Sequence, residues 1–109
     1  MRLKDWEIKG IVEGIESTFR ENGLPIEKSG LYLFGSRTRD DLKGGDIDLL
    51  LRTSQVILEH AKSLKFKFSV SIQNRIGEQK IDLLIIGQEP PIEPFAQIAL
   101  EQAQLMKQW

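Results

Sequence analysis

The sequence has no cysteine, a single histidine, and no apolar run near the ~20 residues that a membrane-spanning helix needs. Without cysteine there can be no disulfide framework, no thiolate metal site and no cysteine nucleophile, and a reducing compartment suits the chain. His60 has no second histidine with which to build a zinc centre, and beside Glu59 it reads as a surface residue. Net charge is scarce too. Fifteen basic and 16 acidic residues leave a formal charge of -1, so no global basic field exists to drive non-specific nucleic-acid binding. Arg2, Lys4, Asp5, Glu7 and Lys9 interrupt the first ten residues, where a signal peptide would be apolar. These absences lead us to expect a cytoplasmic protein that engages neither membrane nor nucleic acid.

What is present fits one globular domain over residues 1–109: at 40% hydrophobic and 28% charged residues, the chain is sized for a single core. Apolar residues recur at helical spacing from Leu3 to Glu21, with Trp6 and Phe19 among the core candidates, and Asn22, Gly23 and Pro25 close that helix. Gly30–Phe34 reads as a strand ending at Gly35 and Ser36. The nine residues Arg37–Gly45, largely polar, read as a loop or a loop holding one helical turn, and Asp46–Leu51 as a second strand. Between Gln55 and Ile76 a strand-like alternation competes with a helical stripe, and the helix is preferred because Gly77 can cap it and another strand, Lys80–Ile86, follows. A last amphipathic helix is expected from Pro94 to Trp109. The order implies an α/β (α+β) fold, a short mixed sheet with helices packed on one side.

Chemistry is concentrated in three carboxylates. Asp46 and Asp48 are two apart at the start of an apolar strand, so alternation would point them the same way, roughly 7 Å apart. Asp82 stands between Ile81 and Leu83 in another apolar strand. Unpaired carboxylates in such places are costly without a compensating cation. If the strands are neighbours, the three can converge on one oxygen-lined site suited to magnesium or manganese. Three carboxylates can neutralise two divalent ions of the kind that stabilise an in-line displacement. The Gly35–Ser36 turn can bring main-chain amides close to phosphate oxygens, and Arg37, Arg39 and Lys43 could offset triphosphate charge.

The spaced combination, GSRTRDDLKGGDIDLLL followed by KIDLLII, resembles the signature of the DNA polymerase beta type nucleotidyltransferase superfamily, and its minimal nucleotidyltransferase branch most of all. The sequence departs from many members at Asp40, where they carry glycine, and at Gly45, where they carry serine. The resemblance implies that Gly35 and Ser36 hold a nucleoside triphosphate, ATP first among candidates. It implies too that Asp46 and Asp48 bind metal, and that Asp82 binds the catalytic Mg2+ (or Mn2+) and helps activate the attacking hydroxyl. It further implies a small helical partner of the HEPN class in a toxin-antitoxin arrangement, with this chain adenylylating a hydroxyl on that partner within a hetero-oligomer. The competing expectation is a non-catalytic binding module of the same fold that neutralises or scaffolds its partner.

Overall fold

Ile11, Ile15 and Phe19 are spaced by four and point to one side of a helix, where each is buried. In the computed structural model, which describes residues 2–35 and 46–109, this helix is α1 (Asp5–Glu21). It begins later than Leu3 because Lys4 is its N-cap, the Lys4 amide donating to Glu7 Oε1 at 2.9 Å. It ends at Gly23, which has φ 65°, with the Leu24 amide returning to the Phe19 carbonyl at 2.9 Å.

Four strands form one sheet in the order β3-β2-β1-β4: β1 (Gly30–Phe34), β2 (Ile47–Arg52), β3 (Ile81–Ile86) and β4 (Gln104–Gln108). The central pair β1–β2 is antiparallel, β2–β3 is parallel, and β4 lies antiparallel on the outer side of β1. Leu31, Leu33, Ile47, Leu49, Leu51, Leu83 and Ile85 alternate onto one face. There α1 and α3 (Lys65–Ile76) cover them with Ile11, Ile15, Phe19, Phe68 and Ile72. This is the short mixed sheet with its helical layer on one side that the sequence led us to expect. On the opposite face, Ala96 and Ala99 of the short α4 (Pro94–Gln102) close over Leu50 and Ile86. No helix among the described residues is long and apolar enough to cross a membrane.

Two glycines let the helices of the layer meet closely. A Cβ on Gly14 would stand 2.7 Å from Ile72 Cγ1 and 2.9 Å from Ile72 Cα, and one on Gly10 would stand 2.6 Å from Ile76 Cγ2. Since Gly10 already faces Ile76, the last residue of α3, Trp6 one turn earlier projects past the end of that helix. Trp6 is accordingly 53% exposed rather than in the core. Buried Glu7 takes the inward position, accepting from Gln79 Nε2 at 2.9 Å.

Two elements differ from expectation. The helix expected from Gln55 to Ile76 is a 3-10 turn (Gln55–Ile57), α2 (Leu58–Ser63) and α3, with the break at Leu64. Leu64 has φ -96° and ψ 7°, and the Ser63 hydroxyl donates to the His60 carbonyl at 2.6 Å, competing with the helical ladder. His60 is exposed, as expected. The helix expected to run from Pro94 to Trp109 stops at Gln102. Ala103 turns extended, and the next five residues pair with β1, whose outer main-chain groups would otherwise lack partners. Trp109, which looked uninformative in the sequence, anchors this end: its amide donates to the Ser29 carbonyl and its indole N–H to Glu16 Oε2 at 2.8 Å.

Candidate active site

Asp48 and Asp82 are the second residues of two parallel strands that carry the same tetrapeptide, Ile-Asp-Leu-Leu, and the register sets Ile47 beside Ile81 and Asp48 beside Asp82. Their side chains are hydrogen-bonded to each other, which requires a shared proton. The Asp48 carboxyl is pushed up to about 6 from an ordinary value of 3.8. Burial is the largest cause, followed by repulsion from Asp82 and from Asp46 and by the hydrogen bond with Asp82; the Lys80 ammonium opposes these.

Asp46 takes a different course. It precedes the first residue of β2, so strand alternation does not fix its direction, and its Oδ2 lies 3.4 Å from Lys80 Nζ. Asp82, for which Lys80 or Arg75 was an alternative ion-pair partner in the sequence, pairs with Asp48 instead, while Arg75 bonds Ser71. The structure therefore brings Asp48 and Asp82 together, with Asp46 paired to Lys80 and near enough to repel Asp48. Among the described residues no group of three histidine, cysteine or acidic side chains is gathered closely enough to hold a metal ion.

Gly35 closes one side. It follows β1, where Phe34 is in register with Asp48, and has φ 75°. A Cβ there would fall onto the Asp48 carboxylate, 3.0 Å from Cγ, so only glycine permits this approach. Ser36, Arg37, Arg39 and Lys43, the remaining phosphate-binding candidates, lie outside the described residues.

A pocket of about 230 Å³ opens over the two carboxyls, lined by Phe34, Asp48, Lys65, Asp82, Leu84 and Phe95. Phe95 of α4 meets Phe34 edge-on, ring centres 6.3 Å apart. Lys65 was not singled out in the sequence. It is one lysine among several in a polar stretch, and only the break at Leu64, which starts α3 at this point, sets it beside the acids. Two adjacent oxygen-donor side chains that repel each other fit a divalent cation, whose charge favours the doubly ionised pair.

No family model and no curated relative matches the sequence. Among solved structures, the fold is similar to a crystal structure described as "a putative nucleotidyltransferase from Sulfolobus solfataricus", with a TM-score of 0.52 and 18% identity over 96% of this chain and 89% of that one. The chain thus has a nucleotidyltransferase-like fold.

Proposed function

We propose that the chain is a metal-dependent nucleotidyltransferase that moves a nucleoside monophosphate, AMP first among candidates, from a nucleoside triphosphate to a hydroxyl on a protein partner. The observation that carries this reading is the in-register Asp48–Asp82 pair with Gly35 laid against Asp48. It matches the arrangement that the sequence resemblance implies, in a chain of nucleotidyltransferase-like fold. Asp48 and Asp82, with Asp46, would hold Mg2+ or Mn2+, which supplies charge stabilisation for the transferring phosphoryl group. In the transfer, the acceptor oxygen forms a bond to the α-phosphorus, the bond from that phosphorus to the bridging oxygen breaks, and pyrophosphate leaves. Asp82, the more exposed carboxylate of the pair, is placed to take the acceptor proton. Lys65 sits where it can offset charge on the phosphates. The minimal nucleotidyltransferase resemblance supports a small helical HEPN-type acceptor, a cytoplasmic setting and an antitoxin role.

One observation favours a second reading. The Asp46–Lys80 ion pair neutralises a carboxylate that catalysis would need, as in a non-catalytic module that only binds its partner. Intact-mass measurement of the copurified helical partner, incubated with this chain, ATP and magnesium, separates the two. A gain of one nucleotide monophosphate that chelator abolishes is expected for the enzyme. A stable complex without that gain establishes the binding module, and equal ATP affinity in chelator and in magnesium overturns the metal-dependent site.

A further inference from the structure

The α4 face of the sheet carries a second opening, at the far end of the strands from Asp48. Gly30, Tyr32 and Phe34 of β1 share this face with Asp48, Leu50 and Arg52 of β2, and the register sets Gly30 beside Arg52 and Phe34 beside Asp48. Arg52 is thus four residues along the strand from Asp48, roughly 13 Å. Leu50, packed with Ala96 and Ala99 of α4, lies between them. At the Arg52 end is a pocket of about 290 Å³ lined by Lys28, Gly30, Tyr32, Arg52, Gln88 and Gln108.

This lining holds two cations and no acid. Neither Lys28 nor Arg52 forms an ion pair among the described residues, although Glu27 adjoins Lys28 and Glu89 adjoins Gln88. The Arg52 Nε is buried with no hydrogen-bond partner, while its exposed Nη2 reaches only the Gln88 carbonyl, at 3.4 Å. A half-buried guanidinium without a counter-charge is costly. The Tyr32 hydroxyl bonds no described residue. A Cβ on neighbouring Gly30 would stand 3.4 Å from that hydroxyl and 3.1 Å from Gln108 Oε1, so the missing side chain leaves this space open.

Lys28 too is held at a cost. It is the one non-glycine among the described residues with a positive φ, 70°, a conformation that glycine adopts more cheaply. Gln88 fixes it there: its Nε2 donates to the Lys28 carbonyl at 2.6 Å, and its own carbonyl accepts from Arg52. One glutamine therefore ties both cations to the same opening, and local strain of this kind gathers at binding sites.

We infer that this pocket binds a phosphate dianion, free or as the terminal phosphate of a small molecule, separately from the Asp48–Asp82 site. Two positive charges and a free hydroxyl, brought in by three segments of the chain, suit a doubly charged tetrahedral group better than a flat, singly charged carboxylate. The terminal nitrogens of Arg52, the Lys28 ammonium and the Tyr32 hydroxyl are the donors; the buried Nε adds charge without contact. Nothing in this binding depends on nucleotide transfer.

The test titrates phosphate, methyl phosphate and acetate into the metal-free chain, at constant ionic strength and at a pH where phosphate is doubly charged. NMR of the isotopically labelled chain follows the Lys28 and Gly30 amides and the Arg52 Nε–H, whose burial slows its exchange. Phosphate is expected to shift these signals together and to saturate with a Kd of about 1 mM or below, while the Asp48 and Asp82 amides stay still. Lys28→Gly removes a cation and relieves the positive φ, so it should melt no lower than the parent chain yet bind phosphate about tenfold more weakly. Arg52→Gln should lose saturation altogether. Methyl phosphate binding as tightly as phosphate assigns a phosphate carried on a molecule, and its failure to bind assigns the free ion. Shifts that never saturate, acetate binding as tightly as phosphate, or undiminished binding in either variant overturns the inference.

Discussion

The two faces of β2 and β3 meet opposite surroundings although they come from the same residues in alternation. On the helix side Ile47, Leu49, Leu51, Leu83 and Ile85 are sealed under α1 and α3. On the other side the strands begin with Asp48 and Asp82 and only later become apolar, where Leu50 and Ile86 pass under α4. Each fully buried aliphatic side chain contributes about 1.5–3 kcal/mol. Five on one face therefore outweigh the repulsion of one partly buried carboxylate pair on the other. Stability and chemistry are thus separated across the thickness of a single sheet.

The sharpest way to break this separation is Asp48→Asn. On the transfer reading it lowers nucleotidyl transfer by about a thousandfold or more, the scale of losing a group that acts directly on the reacting centre. In metal-free buffer near neutral pH the same variant should melt at the same or a higher temperature, because like-charge repulsion is removed with the carboxylate. A labelled-nucleotide assay beside thermal melts reads both, and unfolding of the variant would show that the pair is structural.

Next in size comes the helix side. Gly14→Ala places a methyl against the Ile72 backbone and should cost about 1–3 kcal/mol in denaturant unfolding, beyond the ~1 kcal/mol that alanine adds in helix propensity. Nucleotide affinity should stay unchanged. Gly10→Ala meets side-chain atoms, Ile76 Cγ2 and Arg75 Cβ, before any backbone and should cost less.

Gly35→Ala probes the other side, and should cost about 1–2 kcal/mol for a positive φ while displacing the Asp48 carboxyl. Calorimetry should show nucleotide affinity falling in step, the opposite of Gly14→Ala.

The smallest effect is expected from pH. The folded chain holds the Asp48 proton more tightly than the unfolded chain, so folding takes up a proton between about pH 4 and about pH 6. This contribution is fully present below pH 3.8 and is lost as pH rises through about 6. Metal-free stability should carry a downward component over that window that Asp48→Asn removes, and identical profiles for the two proteins would refute the assignment.

The parts legible in the sequence were those with a local signature. Strands β1, β2 and β3 were expected within a residue of where they lie, and Asp48 and Asp82 stood out because an acid inside an apolar strand needs a reason. Asp46 was expected to point with Asp48; it lies just before the strand, on Lys80, and its charge still reaches Asp48. Lys65 owes its place to a helix break at buried Leu64, which still keeps the spacing of four with Phe68, Ile72 and Ile76. Gly10 and Gly14 look like weak helix positions until α3 is set against them. Leu105 and Met106 fitted a helical stripe, and only the vacant side of β1 explains why they are extended.

The position of β1 in the sheet also orders the events by which the chain can fold. Gly30 is aligned with Arg52 on one side and with Gln108 on the other, partners 22 and 78 residues away. Closing the longer loop costs about 1 kcal/mol more in chain entropy. The β1–β2 pair should therefore form first and β4 should zip on late, as expected when long-range pairings slow a β-sheet's assembly. Until then the outer side of β1 is an open template, continuing up to the Gly35 turn. The bonds from Trp109 to Ser29 and Glu16 act as the latch that ends this interval.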